Sequence, residues 1–170
     1  RKGFNFDAAV HHIGGCGKWG IVGRCFKTLG IEMDFYPLDP MDHLIFPHFS
    51  IEIPADLDEY IVRLQERYPL ERDKIKDFFR DFIKLYRATF NNEKSQIIDR
   101  YKDQTYGEML NAFFKNEELK MILSGQWGYI GLPPAQASAI GMCQMMINYL
   151  KDGAFFPAGG TQEFTNAIFK

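Results

Sequence analysis

The sequence is poor in cysteine, carries no excess of either charge and has no long uninterrupted apolar run. Its three cysteines, Cys16, Cys25 and Cys143, are odd in number and form no CxxC pair. That excludes a disulfide scaffold and reads as a reducing compartment, with free thiols acting as small apolar side chains. Twenty Lys and Arg stand against twenty-two Asp and Glu, a formal charge of −2. So close a balance gives no bulk attraction to nucleic-acid phosphates, and no nucleic-acid partner is expected. The longest apolar stretch, Ala135 to Leu150, is broken by Gln136, Ser138, Gln144 and Asn148. It is also shorter than the roughly 20 residues that cross a bilayer. Arg1-Lys2-Gly3-Phe4 is not followed by an apolar run, so no signal peptide is read there. The expected location is cytoplasmic or peripherally membrane-associated. A start without Met and a stop in mid-pattern at Phe169-Lys170 suggest an excised piece of something longer.

What is present is a core. At 170 residues, 46% hydrophobic and 25% charged, the chain has the length and balance of one globular domain. Sixteen Phe is a heavy load. Such loading accompanies a large apolar cavity, a lipid contact or a missing partner surface.

The first thirty residues are punctuated by glycine. Ile21 to Leu29 has Ile21, Val22, Cys25, Phe26 and Leu29 at helical spacing, with Gly30 placed to end the helix in a left-handed residue. Ile31 to Tyr36 alternates apolar and acidic residues, and His43 to Ile53 resumes a strand-like pattern. These predict a small antiparallel sheet of two or three strands over about residues 1–54. Beyond Pro54 the pattern is helical, over about 55–170. Asp56/Glu59 and Thr105/Glu108 have the spacing of capping boxes, and Asn116 is placed to cap a further helix. Ile75, Phe78, Phe79, Phe82, Ile83 and Tyr86 form one helical stripe, and Asn91 to Ser95 is a polar break. Pro133-Pro134 precedes an apolar helix from Ala135 to Leu150, read as a central core helix, as one wall of a tunnel, or as both. The fold class predicted is α+β: a small antiparallel sheet near the N-terminus, then a mostly helical bundle.

Gly15-x-Gly17-x-x-Gly20 fits the dinucleotide-binding glycine pattern, with Glu32 and Asp34 at a passable distance for a ribose contact. Against it stand the adjacent His11 and His12 where a buried strand needs apolar residues, and bulky Lys18 and Trp19 inside the turn. No alternation of strands and helices follows to build a parallel sheet. A Walker loop fails as well, because His12 takes the place of its first glycine and Trp19 that of its Ser or Thr. No metal site is read: extended His11 and His12 point to opposite faces, and His43 and His48 lack a third ligand. No Ser-His-Asp grouping can be placed, and the catalytic residues are left unknown. Two segments look purposeful, Gly125-Gln126-Trp127-Gly128-Tyr129 through Pro133-Pro134, and Phe155-Phe156-Pro157-Ala158-Gly159-Gly160-Thr161. Paired glycines before a helix let backbone amides approach a flat ring or an anion.

Taken in order, several motifs resemble one flavoprotein group. Phe4-Asn5-Phe6-Asp7, His11-His12-Ile13-Gly14-Gly15, Leu29-Gly30-Ile31-Glu32 and Tyr36-Pro37-Leu38-Asp39-Pro40 match its earlier part. Gly125-Gln126-Trp127-Gly128, Leu132-Pro133-Pro134 and Phe156-Pro157-Ala158-Gly159-Gly160 match its later part. The group is that of the FAD-dependent phytoene desaturases, carotenoid cis-trans isomerases and retinol saturases, and the resemblance covers most of the chain. It implies the substrate-binding domain of a larger oxidoreductase acting on long polyenes, with FAD held in the parent enzyme and none in this stretch. Hydride exchange would be the work of the flavin. Gly14 and Gly15 would lie near the cofactor, and His12, Trp127, Met145, Phe156, Pro157, Gly159 and Gly160 would face a carotenoid or retinoid. The partners implied are that polyene and the FAD-binding domain of the same chain, with a homodimer and a peripheral membrane contact left open. The stretch from Thr89 to Arg100 is short for the group. The rival readings are a non-enzymatic apolar-ligand or lipid-binding domain, and a self-contained nucleotide enzyme using Gly15 to Gly20.

Overall fold

The computed structural model describes Gly3, residues 12–91 and residues 95–169. The remaining residues, His11 and the Phe4–Asp7 motif among them, lie outside that description. The architecture is α+β, as the patterning predicts, with two small antiparallel sheets set against a helical bundle.

The first sheet has the order β1 (Ile13–Gly14), β5 (Ala154–Pro157), β2 (Phe35–Leu38). Its middle strand therefore comes from far down the chain. The sequence pattern predicts no strand there, because a four-residue strand carries no periodicity of its own. Ile13 pairs with Phe155 and Gly14 with Ala154 on one side, while Phe35 pairs with Pro157 and Leu38 with Ala154 on the other. Directly paired residues share a face. One face thus presents Gly14, Ala154 and Leu38 to the main core, and the other presents Ile13, Phe155, Phe35 and Pro157. Pro37 sits on the outer strand, where its missing amide breaks no ladder. The second sheet is a hairpin of β3 (Asp42–Ile45) and β4 (Ser50–Ile53).

Helix α1 (Ile21–Leu29) ends, as predicted, on Gly30 at φ 68°. Of its apolar residues only Phe26 is buried. Phe26 meets Phe164 of α8 (Thr161–Ile168) at 5.0 Å and Phe35 at 6.0 Å, a small aromatic cluster on the second face of the first sheet.

The bundle is built by α2 (Leu57–Arg67), α3 (Arg72–Phe90), α4 (Gln96–Tyr101), α5 (Tyr106–Phe113), α6 (Glu117–Ser124) and α7 (Ala139–Asp152). The predicted caps form. The Asp56 carboxylate accepts from the Glu59 amide at 2.8 Å, Asn116 Oδ1 accepts from the Leu119 amide at 3.0 Å, and Thr105 with Glu108 closes a full capping box. The first of these is half a box, since the Glu59 side chain pairs with Arg63 instead. On α3, Phe78 stacks on Phe82 at 4.6 Å and meets Phe79, Phe113 and Phe114 at 5.2–5.4 Å. Each such burial is worth about 1.5–3 kcal/mol. Much of the phenylalanine load is therefore spent on packing. Asp81, buried in the same helix, accepts from the Tyr101 hydroxyl at 3.0 Å and from Arg100 at 3.4 Å, which ties α4 to α3.

Helix α7 begins four residues later than the periodicity suggests. Residues 133–138 are turns whose backbone serves α5: the Tyr106 amide donates to Ala137 O at 2.8 Å and the Gly107 amide to Pro134 O at 2.7 Å. A Cβ on Gly107 would lie 3.2 Å from the Pro134 backbone, a contact tighter than side chains ordinarily make. Ser138 caps the helix that follows. Ala139, Met142, Cys143, Met146, Ile147 and Leu150 are all buried, and α7 packs on α3, α2 and α5 as the central core helix. No helix of the described residues is long and apolar enough to cross a membrane.

Candidate functional site

The residues singled out by motif fall around the first sheet and the inner end of α7. The loop after β1 folds back on α1. Gly15, at φ 71°, accepts from the Val22 amide at 3.0 Å and the Gly23 amide at 3.2 Å. A Cβ on Gly20 would stand 2.1 Å from Gly15 O, and one on Gly23 would stand 2.2 Å from Gly17 O. Gly15 and Gly20 of the motif, and Gly23 beyond it, thus let the loop lie on its own helix. A pyrophosphate cradle requires free amides at the helix N-terminus. Here a backbone carbonyl of this chain engages two of them, and the paired strands of the described residues are all antiparallel. Gly15 to Gly20 therefore does not fit the nucleotide half of a dinucleotide. Gly14 is constrained differently: a Cβ there would meet Asn148 Nδ2 at 2.6 Å and Tyr149 at 3.0 Å, which seats β1 directly on α7.

One residue before β1, His12 is 5% exposed, although adjacent histidines argued against a buried strand. Two tyrosine rings explain the burial. Tyr129 and Tyr149 each meet the imidazole edge-on, at 5.0 and 4.9 Å. Extended by one residue, the β1–β5 register sets His12 abreast of Phe156, and Phe156 pairs in turn with Tyr36. His12, Phe156 and Tyr36 thereby fall in line on the sheet face that carries Gly14 and Ala154.

Behind the imidazole lies a polar knot. The 3-10 turn Gly125–Tyr129 is pinned to the hairpin by Asp42, whose carboxylate accepts from Gln126 Nε2 at 2.6 Å and from the Tyr129 hydroxyl. Gly125 lies against the Leu44 side chain of the hairpin, whose methyl end would have to move aside for a Cβ there. Burial, and then the bond to Asp42, push the Tyr129 phenol far above the ordinary tyrosine range. Burial likewise raises Tyr149. Burial also pushes the thiols up, Cys16 to about 11 and Cys143 to about 12. These phenols and thiols therefore stay protonated at neutral pH, and the node offers neither thiolate nor phenolate. Among the described residues no group of three or more His, Cys, Asp or Glu could hold a metal ion.

The other predicted residues are dispersed. Trp127 is 46% exposed and lines an open cleft of about 390 Å³ with Leu44, Phe46 and Met121. Met145 is half-buried on α7 and packs against the core. Pro157 is buried opposite Phe35, and Gly159 and Gly160, at φ 84° and 98°, turn the chain into α8. Asp42, Gln126, Tyr129 and Tyr149 were not picked out by sequence. Gln126 and Tyr129 lie inside a noted motif, but Asp42 is 84 residues from Gln126 and nothing local marks it.

Comparison with known proteins then supplies the relatives. No protein-family profile matches the chain. All-trans-retinol 13,14-reductase of Macaca fascicularis is 27% identical over 95% of the chain, and that of Homo sapiens 26% over 96%. Prolycopene isomerase, chloroplastic, of Arabidopsis thaliana is 20% identical over 94%. In each case the chain spans 31% of the relative's own length. The resemblance read from the ordered motifs is borne out by these similarities to retinol reductases and a prolycopene isomerase. The match to the macaque protein runs over 193 positions, more than the 170 residues of this chain, so the relative carries extra residues inside the matched span.

Proposed function

We propose that this chain forms the substrate-facing part of an FAD-dependent oxidoreductase acting on a carotenoid- or retinoid-like polyene. The observation that carries the reading is the similarity, along nearly all of the chain, to a retinol reductase and a carotenoid isomerase three times its length. Tyr36 and Phe156, where that sheet face runs out to solvent, and the Gly159-Gly160 corner are the surface offered to the polyene, with His12 buried behind them and Gly14 and Gly15 at the flavin side. The nucleotide half of FAD is gripped by segments other than Gly15 to Gly20, whose helix amides are already engaged. Flavin supplies hydride chemistry when bound. The residues here orient the substrate and exclude water from it.

The packed bundle supports this over a free-standing carrier. A carrier encloses its ligand, whereas the phenylalanines of α3 and α5 fill the interior with one another and the larger clefts among the described residues open to solvent. The chain by itself is expected to bind no stoichiometric flavin, so the purified chain incubated with FAD and desalted is colourless. A yellow protein with one flavin per chain overturns the division of labour. In a flavoenzyme containing this stretch, Phe156→Ala raises KM for the polyene about tenfold and leaves the flavin spectrum unaltered. An unchanged KM sinks the substrate role of the sheet face.

A further inference from the structure

We propose that Asp42 is a positioning residue for the polyene face: acting through Tyr129 and His12, it sets the spacing between that face and the flavin side. The proposal deepens the function proposed above and rests on it. It starts from a closed circuit of contacts. One oxygen of the Asp42 carboxylate accepts from the Tyr129 hydroxyl, and the other accepts from Gln126 Nε2 at 2.6 Å. The Tyr129 ring meets the His12 imidazole edge-on at 5.0 Å. His12 lies abreast of Phe156 in the continued β1–β5 register, and Phe156 pairs with Tyr36. Six residues on from Tyr36, the backbone is back at Asp42. That return is itself tied down. Met41 is buried with its amide on Ile53 O at 2.9 Å, and Asp39 Oδ1 accepts from the Ala55 amide at 3.2 Å. The hydrogen bond from Tyr129 to Asp42 is the link of this circuit that a single substitution cuts.

The same imidazole is tied to the flavin side. Tyr149 meets it at 4.9 Å and lies 5.6 Å from Tyr129. The Tyr149 ring also backs Gly14, where a Cβ would come within 3.0 Å of it. His12 is thus held between two phenols, one bonded to Asp42 and the other seating the strand that carries Gly14. Tyr36 and Phe156 lie to one side of this node, Gly14 and Gly15 to the other. A shift of the imidazole therefore changes how polyene and flavin are aligned, while the groups that touch the polyene remain in place to bind it. Rate is the quantity sensitive to alignment, since a misplacement of about 1 Å can cost about 100-fold. The bundle supplies a matched comparison. Asp81 likewise accepts from a tyrosine hydroxyl, that of Tyr101 at 3.0 Å, but joins two bundle helices, α3 and α4.

The test has two arms. In the chain itself, Asp42→Ala should move the His12 ring-proton signals in the nuclear magnetic resonance spectrum. It should add little once Tyr129→Phe has cut the link, because the two changes act on one path. In a flavoenzyme containing this stretch, with turnover counted per bound flavin, Tyr129→Phe should lower kcat about tenfold and leave KM within about twofold. Asp42→Ala should do the same. Asp42→Asn should restore most of the rate, since its oxygen still accepts from Tyr129 while Gln126 can turn its amide over to meet the new NH2 group. Tyr101→Phe removes the matched bond in the bundle and should change neither constant nor the His12 signals. Should Asp42→Ala not fold, the milder Tyr129→Phe carries both arms. An unchanged kcat in Tyr129→Phe, an equal fall in Tyr101→Phe, a rise in KM alone, or His12 signals indifferent to Asp42→Ala overturns the proposal. Moved signals with an unchanged kcat make Asp42 a structural tie and overturn it too. Failure of the polyene reading shows separately, as a KM indifferent to Phe156→Ala.

Discussion

Replacing Asp42 by alanine probes the knot that joins the hairpin to the Gly125–Tyr129 turn. The carboxylate accepts two hydrogen bonds, from Gln126 Nε2 at 2.6 Å and from the Tyr129 hydroxyl. Hydrogen bonds to a charged group contribute about 1.5–3 kcal/mol each, and a buried donor left without an acceptor costs about 1–3 kcal/mol. Gln126 is only 4% exposed, so its amide group has little recourse to water. Asp42 is itself partly solvated, which trims the gain from its charge. The expected loss for Asp42→Ala is about 2–4 kcal/mol, and an m-value of about 2 kcal/mol/M makes that a fall of about 1–2 M in the urea midpoint. Tyr129→Phe removes one of the two bonds and should cost about half as much. Because the two residues touch, the double variant should fall short of the sum by about 1 kcal/mol or more. Urea denaturation of the four proteins, followed by far-ultraviolet circular dichroism, measures all of this. An Asp42→Ala loss below about 0.5 kcal/mol, or strict additivity with Tyr129→Phe, would refute the claim that this carboxylate fastens the turn.

Gly20→Ala should be among the more damaging single-methyl additions in the chain, since its Cβ would stand 2.1 Å from Gly15 O and backbone must shift to admit it. A loss of about 2 kcal/mol or more is expected in the same assay, and a neutral result would contradict the loop's seating on α1. Alkaline stability follows from the raised acids. Cys16 at about 11 and Tyr68 at about 12 lie above their unfolded values of 9.0 and 10.0, so the folded state holds protons that the unfolded chain releases. Their contribution is complete below pH 9 and is lost as pH climbs from 9 to 12. The urea midpoint should hold steady up to pH 9 and fall beyond it; a midpoint rising between pH 9 and 11 would reverse the sign.

The helical half of the fold was legible because its signals are local. Caps at Asp56, Thr105 and Asn116 and the stripe from Ile75 to Tyr86 are each written within one or two turns of chain. The strand at Ala154–Pro157 was not, since its partners at Ile13 and Phe35 lie more than a hundred residues away and four residues show no period. The start of α7 was misplaced for a similar reason: Ala135 and Ala137 favour helix locally, but their neighbourhood's carbonyls are claimed by the amides of Tyr106 and Gly107. At the candidate site, motif order pointed to His12 and to the Gly125–Tyr129 segment. It favoured Trp127, which faces an open cleft, over Gln126 and Tyr129, which reach Asp42 across the fold. The residues that complete such a node are set by tertiary contact alone.

The position of β5 between β1 and β2 bears on how the chain is made. During synthesis the first two strands emerge with no hydrogen-bonding neighbour, and they must wait while more than a hundred residues of bundle are threaded out. Closing so long a loop is an entropic delay that local helices do not face. Most of the bundle can therefore form before this sheet closes, and until Ala154–Pro157 arrives β1 and β2 lack the strand that joins them.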